Sequence, residues 1–446
     1  MSKLTKNRDQ WNSKIGFILA AAGSAIGLGN LWRFPYAAGQ YGGAAFVLVY
    51  LFFIALIGFT ILLGELVIGR HTQLNPVGAY RKLRKNWAWV GGLGVVAPFL
   101  ILSFYSVIGG WVLNYIIKSV TGAFVVDANM SDMFISFITN PVEPLIYHGI
   151  FAILTLTIVM GGISNGIEKS NKVMMPALFI MIILVAIRSI TLPGASEGIK
   201  FFLKPDFSKI NGEVILAALG QVFFSLSLGM GIMITYGSYL DKDENLLESS
   251  FIIPLIDTSV ALLAGLAILP AVFALGFSPD QGPSLLFITL PAVFAKMPFG
   301  SFFAFLFFLL ILFAALTSSI SLLETSVSYI VDEFNWNRRK TSLVLGISMF
   351  LLGIPSSLGQ GVLSHIKPIR GLDILDSIDF IATNIMLPVS GFLLCIFIGW
   401  VWGIDNALEE ATNNGKLSFK FAHFWSFTIK WIAPVAILAV FLQSFR

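Results

Sequence analysis

Apolar residues gather along this chain into blocks of about twenty, the length that carries a helix across the hydrocarbon core of a bilayer. About eleven such blocks follow one another, at 15–36, 43–68, 88–118, 147–164, 173–192, 213–240, 250–276, 298–331, 341–360, 377–404 and 421–444. The pattern predicts an all-α polytopic membrane protein in which residues 1–446 form one domain. The separators are short. Residues 164–172 read as a brief loop, and 192–212, with Pro193, Gly194 and Pro205, as a longer loop with little regular structure. Residues 277–297 are apolar but interrupted by Pro279, Gly282, Pro283 and Pro291, which predicts a re-entrant or capping hairpin in place of a span.

Two blocks have weak centres. The first carries no charge between Lys14 and Arg33, yet holds Gly27 and Gly29, each costing about 1 kcal/mol relative to Ala inside a helix. Asn30 and Arg33 then place an amide and a fixed charge where lipid tolerates neither cheaply. A span broken at mid-membrane frees carbonyls and amides, which is acceptable only where they line a cavity or hold a ligand. The sixth block repeats the feature: hydroxyls at Ser225 and Ser227 precede Gly229-Met230-Gly231. Glycines by themselves also serve close helix packing. Two interrupted segments five spans apart, each beside polar groups, instead fit inverted repeats with a binding site between them. The repeats would be 15–192 and 213–404, with 421–444 peripheral.

Composition narrows the class. Hydrophobic residues make up 57% of the chain and charged residues 12%, against about 25% charged in soluble domains, and mean hydropathy is +0.86. The net charge of +4 comes from cations in short loops beside the spans, which suits a lipid bilayer and predicts no nucleic-acid partner. Counting Lys and Arg with the N-terminus inside gives 17 on the cytoplasmic side and 9 outside, so the N-terminus is predicted in the cytoplasm and the C-terminus outside a plasma membrane. Cys395 stands alone, which excludes an intrachain disulfide. The histidines (His71, His148, His365, His423) are scattered, with no Cys/His metal spacing and no phosphate-cradling loop. No enzyme is expected. Coupling to an ion gradient is the default for any transport.

Polar residues within the spans are the remaining candidates. Asp257 lies in an uncharged run from Ser249 to Pro279, and an ionised Asp there costs about 2.5–3.5 kcal/mol unless partnered. A bound cation is one partner; a hydrogen bond as the neutral acid is another. Thr317, Ser318 and Ser321 share one face of the eighth block, where hydroxyls either suit a hard cation or bond carbonyls of their own helix. Glu65 and Glu324, nearer span ends, are expected to bond the exposed backbone of the broken spans.

The run Gly23–Pro35, followed by Gly42-Gly43, resembles the first-span signature of the neurotransmitter:sodium symporter family. The likeness continues through Ser225–Gly231, Thr317-Ser318-Ser319 and the Asp376/Asp379 pair, and covers the chain from Arg8 onward. Eleven spans look like a bacterial subgroup that transports hydrophobic and aromatic amino acids. The resemblance implies a sodium-coupled symporter working by alternating access, with two Na+ per substrate. One sodium would meet the Ala25 carbonyl, Asn30, Ser225 and Asp257. The second would meet the carbonyls of Gly23, Ile26 and Ala314 with the hydroxyls of Thr317 and Ser318. The substrate carboxylate would meet the Leu28 and Gly29 amides and the Tyr105 hydroxyl. Its amino group would meet carbonyls around Ala25, Phe224 and Ser227, and its side chain Ile101, Phe224, Met230, Ser318 and Leu322. Arg33 with Asp379 would form the outer gate; Arg8 with Asp332, helped by Trp11 and Tyr239, the inner one. Gly166 and Pro176 resemble a bacterial motif that unwinds span five.

Two positions depart from the family pattern, and at the first Ser225 stands where many members have Thr and keeps the hydroxyl. Asp257 stands where many members have Asn, and its charge would replace a bound chloride, so chloride-independent transport is expected. Glycines flank the pocket residue Met230, which favours large apolar substrates, and Ser24 in place of an acid disfavours cationic amines. A proton-coupled or uncoupled transporter of the same fold, or a non-transporting amino-acid sensor, are the alternatives.

Overall fold

The computed structural model describes residues 9–278, 285–369 and 371–445. Nine helices among them are long and apolar enough to cross a membrane: span 2 (Ala44–Thr72), span 3 (Lys85–Val120), span 4 (Glu143–Met160), span 5 (Ile163–Ile190), span 7 (Leu246–Ala274), span 8 (Gly300–Phe334), span 9 (Arg338–Leu358), span 10 (Ile374–Trp402) and span 11 (Ala422–Gln443). Span 1 is a bent pair, Lys14–Ala25 and Gly29–Gln40, turning by 51° at the break. Span 6 is likewise divided, into Gly212–Ser225 and Ile232–Gly237. Span 1 begins at the inner face of the bundle, and the outer face lies opposite.

Side-chain caps set where many helices start. Ser13, Asn211, Asn245, Asn337 and Asp373 each accept a backbone N–H of the first turn, in spans 1, 6, 7, 9 and 10, which satisfies donors that a membrane helix otherwise leaves bare. Spans 3, 4, 8 and 9 pack on one another as a group, and span 1 lies against spans 5, 7 and 8. Close approaches are bought by glycine: a Cβ on Gly110 would fall 2.6 Å from the His148 nitrogen, and one on Gly353 2.4 Å from the Ser103 carbonyl.

Two expectations need correction. Residues 164–172 are not a loop: the chain turns at Gly161–Gly162, and span 5 is helical from Ile163, continuously past Gly166 and Pro176. Its polar start is absorbed by Glu168, which accepts from the Asn12 backbone N–H and the Ser13 hydroxyl, both at 2.8 Å. The stretch 192–212 contains the helix Ala195–Leu203, whose Phe202 is buried against Gly265 of span 7. In 277–297, Leu285–Lys296 is one short helix and not a span, while 279–284 lie outside the described residues. Its Phe287 stacks on Phe134 at 5.2 Å and accepts the Tyr115 hydroxyl at 2.9 Å, which caps the outer end of span 3.

At the inner face, the helix Ile404–Ala411 ties span 2 to the loop between spans 6 and 7. Glu410 accepts from Arg70 Nε at 2.7 Å and pairs with His71 Nδ1 at 2.9 Å, while Arg70 also reaches the Glu244 and Glu410 carbonyls. Lys242 donates to the Arg70 and His71 carbonyls at 2.7 and 3.0 Å. Burial alone would raise the Glu410 carboxyl, but the bonds from His71 and Arg70 outweigh it and hold the group at about 2. A carboxyl depressed by folding stabilises above its ordinary value of 4.5 and loses that contribution as pH falls towards about 2. The melting temperature in detergent should therefore be insensitive to this group at neutral pH and drop below about 4.5. Glu410→Gln should flatten that acid limb; an identical limb in the variant would exclude Glu410 as its source.

Candidate functional site

The two breaks face each other across the bundle centre. In span 1 the helix stops after Ala25 with Ile26 extended, and resumes when the Asn30 and Leu31 N–H groups return to the Gly27 carbonyl at 3.2 and 3.3 Å. In span 6, Ser227 (φ 53), Gly229 (φ 77) and Gly231 (φ 65) all lie in the left-handed region. Glycine takes that conformation freely, whereas Ser227 holds it at a cost of about 1–3 kcal/mol. Its hydroxyl donates to the Ser24 carbonyl at 3.1 Å, tying one break to the other. Glu65 of span 2 accepts the Gly229 N–H at 2.7 Å, so this acid does bond broken-span backbone.

Between the breaks lies a cavity of about 40 Å³ lined by Ala25, Leu28, Gly29, Ile101, Tyr105, Phe224, Ser227, Met230, Ser318 and Leu322, which are the ten sequence-selected substrate positions. Ser24, the position whose lack of an acid disfavours cationic amines, completes the wall with Gly27 of the span 1 break and with Phe104, which nothing in the sequence points to. The Leu28 N–H donates to the Tyr105 hydroxyl at 3.3 Å. A Cβ on Gly27 would fall 2.6 Å from Ser318 Oγ and 2.9 Å from the Tyr105 hydroxyl; one on Gly29 would fall 2.7 Å from Phe224 Cδ1.

Two oxygen-rich clusters flank this cavity. In the first, the Asn30 amide donates to Asp257 Oδ1 at 2.8 Å and to Ser225 Oγ at 3.1 Å, and Ser225 donates to Asp257 Oδ2 at 2.8 Å. Tyr50 of span 2 joins them, its hydroxyl 3.2 Å from Ser225 Oγ and 3.4 Å from Asp257 Oδ2. Sequence reasoning missed Tyr50, whose only signal is a phenol in an apolar run. In the second, Ser318 Oγ donates to the Ser24 and Ile26 carbonyls at 3.1 and 3.2 Å, and Thr317 Oγ1 to the Ala314 and Ile26 carbonyls at 2.9 and 3.5 Å. Gly23 lies beside Thr317: a Cβ there would be 3.2 Å from Thr317 Cβ. All members of both clusters are buried. Such sets of hydroxyl, amide, carbonyl and carboxylate oxygens suit a hard cation.

The ends of this axis differ. Towards the outside, Arg33 and Asp379 line one vestibule of about 490 Å³ without an ion-pair contact, and the guanidinium lies 4.7 Å from the centre of the Phe224 ring. Towards the inside the path is plugged. Trp11 is buried, donates its indole N–H to the Tyr236 carbonyl at 3.0 Å and packs edge-on against Tyr236 and Tyr239. Asp332 accepts from the Asn75 backbone and side chain at 3.1 and 3.3 Å, while Arg8 lies outside the described residues. Glu324 departs from expectation: its partners are the Tyr239 hydroxyl at 2.7 Å and the Arg338 guanidinium, not broken-span backbone. Helix rotation turns Glu324 towards span 9, and a cation at a span start gives no hint in the sequence of that pairing.

The profile of the sodium:neurotransmitter symporter family matches residues 8–133 and 143–446. A sodium-dependent transporter of Bacillus subtilis is 46% identical over 438 residues, covering 97% of each chain. One from Haemophilus influenzae is 38% identical over 461 residues, covering 100% of each. Among solved structures, the crystal structure of MhsT in complex with L-phenylalanine superposes with a TM-score of 0.90 at 48% identity, covering 98% of this chain and 100% of that one.

Proposed function

Because the chain belongs to the sodium:neurotransmitter symporter family, a family of membrane transporters and not of enzymes, we propose that it imports hydrophobic or aromatic L-amino acids by sodium-coupled symport. The observation that carries this reading is one small cavity walled by two helix breaks and flanked by two oxygen clusters. The phenylalanine held by MhsT supports a large apolar substrate. In this reading the inner end faces the cytoplasm, the vestibule faces outside a bacterial plasma membrane, and 15–192 and 213–404 are the inverted repeats.

The chemistry follows from the groups present. Sodium among Asn30, Ser225, Asp257 and the Ala25 carbonyl shares its shell with the substrate carboxylate, which makes substrate binding depend on the ion. The Leu28 and Gly29 amides, at the start of a half-helix, and the Tyr105 hydroxyl hold that carboxylate. The second sodium, among the Gly23, Ile26 and Ala314 carbonyls, Thr317 and Ser318, clamps span 1 to span 8. Its loss to the cytoplasm frees span 1, and alternation is a population shift driven by differential affinity. Arg33 closing on Asp379 would seal the vestibule; release of Trp11 and of Asp332 from its partners would open the other side. Partly solvated pairs of this kind contribute little net stability, which suits a gate. Two sodium ions with a zwitterion carry about two charges inward, each worth about 2.3 kcal/mol per 100 mV, enough for roughly a thousandfold accumulation. Asp257 supplies the negative charge that makes chloride dispensable.

The test is uptake of a panel of labelled amino acids into proteoliposomes under an imposed sodium gradient, with chloride replaced in parallel. Accumulation of Phe, Tyr, Trp or Leu that needs sodium and ignores chloride is expected. Uptake that follows a proton gradient alone, or sodium-dependent binding without uptake, would overturn the reading in favour of a proton-coupled carrier or a sensor.

A further inference from the structure

Span 5 presents to span 1 a polar side chain that the transport scheme above does not use. Asn171 is fully buried. Its Nδ2 donates to the Ile167 carbonyl at 2.8 Å, one turn back in the same helix. That bond settles which end of the amide is which, and turns Oδ1 outward from the helix. Oδ1 is buried without a hydrogen-bond partner. Buried acceptors are rarely left so, and an orphaned one calls for a ligand or a function.

What Oδ1 faces is specific. A Cβ placed on Gly23 would lie 2.5 Å from Asn171 Oδ1, 3.1 Å from Met175 Sδ and 3.2 Å from Thr317 Cβ. The orphaned oxygen therefore touches the backbone of one residue of the second cluster, with Thr317 on the far side of the same spot. Only glycine at position 23 leaves room for it. One turn closer to the inner face, Glu168 puts its carboxylate on the same side of span 5, against Gly16 of span 1, where a Cβ would fall 2.2 Å from Oε1. Glu168 is held there by Asn12, Ser13 and Lys172, the last donating at 2.7 Å. A line of oxygens beside span 1 thus runs from a hydroxyl of span 8 (Thr317) to an amide oxygen (Asn171) and a carboxylate (Glu168) of span 5, with glycines of span 1 opposite the lower two. Each is a hard oxygen donor, and the order rises in negative charge towards the inner face.

We propose that Asn171 is a transit ligand for sodium, taking the ion from the Thr317 cluster and passing it along the span 1–span 5 seam towards Glu168 and the cytoplasm. This rests on the reading that the Thr317 cluster binds sodium. Asn171 holds the ion in passage and not at rest. Its removal slows inward release without weakening equilibrium binding. A carboxylate in its place retains the ion too long.

The experiment pairs equilibrium binding of radiolabelled sodium to purified transporter with sodium-driven L-phenylalanine uptake in proteoliposomes whose lumenal sodium is varied. For Asn171→Ala, the half-saturating sodium for binding should stay within about twofold of wild type while maximal uptake falls about tenfold. For Asn171→Asp, maximal uptake should fall even into a sodium-free lumen, and inhibition by lumenal sodium should set in at about tenfold lower concentration. Wild-type uptake by Asn171→Ala with an unchanged response to lumenal sodium would overturn the proposal. So would a loss of sodium binding in Asn171→Ala by more than tenfold, which would make Asn171 part of the resting shell or of the packing. Wild-type protein that binds no sodium would instead overturn the underlying symport reading.

Discussion

Asp257→Asn is expected to raise the half-saturating sodium concentration for substrate binding by roughly tenfold to a hundredfold. The substitution keeps the shape of the side chain and can keep a carbonyl oxygen beside Asn30 and Ser225, so packing changes little. It removes a full negative charge from a completely buried position, and charge-assisted interactions contribute about 1.5–3 kcal/mol where neutral ones contribute about half that. Sodium titration of equilibrium amino-acid binding measures the effect directly. An unchanged sodium curve would mean that Asp257 is a neutral acid serving only Asn30, Ser225 and Tyr50, and the cation assignment would fall.

Gly27→Ala should abolish substrate binding while leaving the protein folded. The added methyl would sit 2.6 Å from Ser318 Oγ and 2.9 Å from the Tyr105 hydroxyl, in the wall of a cavity of only about 40 Å³. Relief requires span 1 to move away from spans 3 and 8, at about 1–3 kcal/mol for overpacking, and in the proposed binding mode the methyl would still occupy the space assigned to the carboxylate. A loss of uptake of at least tenfold, with elution volume and melting temperature near wild type, is the expected result. Uptake within twofold of wild type would show that the carboxylate lies elsewhere. The comparison with Gly92→Ala, where nothing lies within 4 Å of the new methyl, controls for a helix-propensity effect.

Much of the bundle was legible because the bilayer imposes one rule on every span, and span limits agree with the helices to within a few residues except in span 5. Polarity misled there: Asn165, Glu168 and Lys169 read as a loop, but Glu168 is satisfied by Asn12 and Ser13 from the start of the chain. Helix Ala195–Leu203 was hidden for the opposite reason, since a helix of nine residues, set between Pro193 and Pro205, is too short for a periodic signal. Breaks at Gly27–Gly29 and Gly229–Gly231 announced themselves through glycine, and the cavity wall followed from family resemblance. Partners supplied by another helix did not announce themselves. Tyr50 and Phe104 look like ordinary aromatic filling, and the Glu324–Arg338 pairing depends on how two helices are rotated.

The tie between the Ser227 hydroxyl and the Ser24 carbonyl belongs to a pocket that sets main-chain groups of two helix breaks beside side chains, and this bears on how such a protein can diverge. Main-chain ligands survive any side-chain mutation, so drift cannot erase them one at a time. Selection would act on the residues that hold the backbone open, Gly27, Ser227, Gly229 and Gly231, and on the side-chain oxygens of Asn30, Ser225, Asp257, Thr317 and Ser318, leaving positions such as Ile101, Met230 and Leu322 free to vary. A lineage could change its diet through those side chains while its ion chemistry stayed fixed.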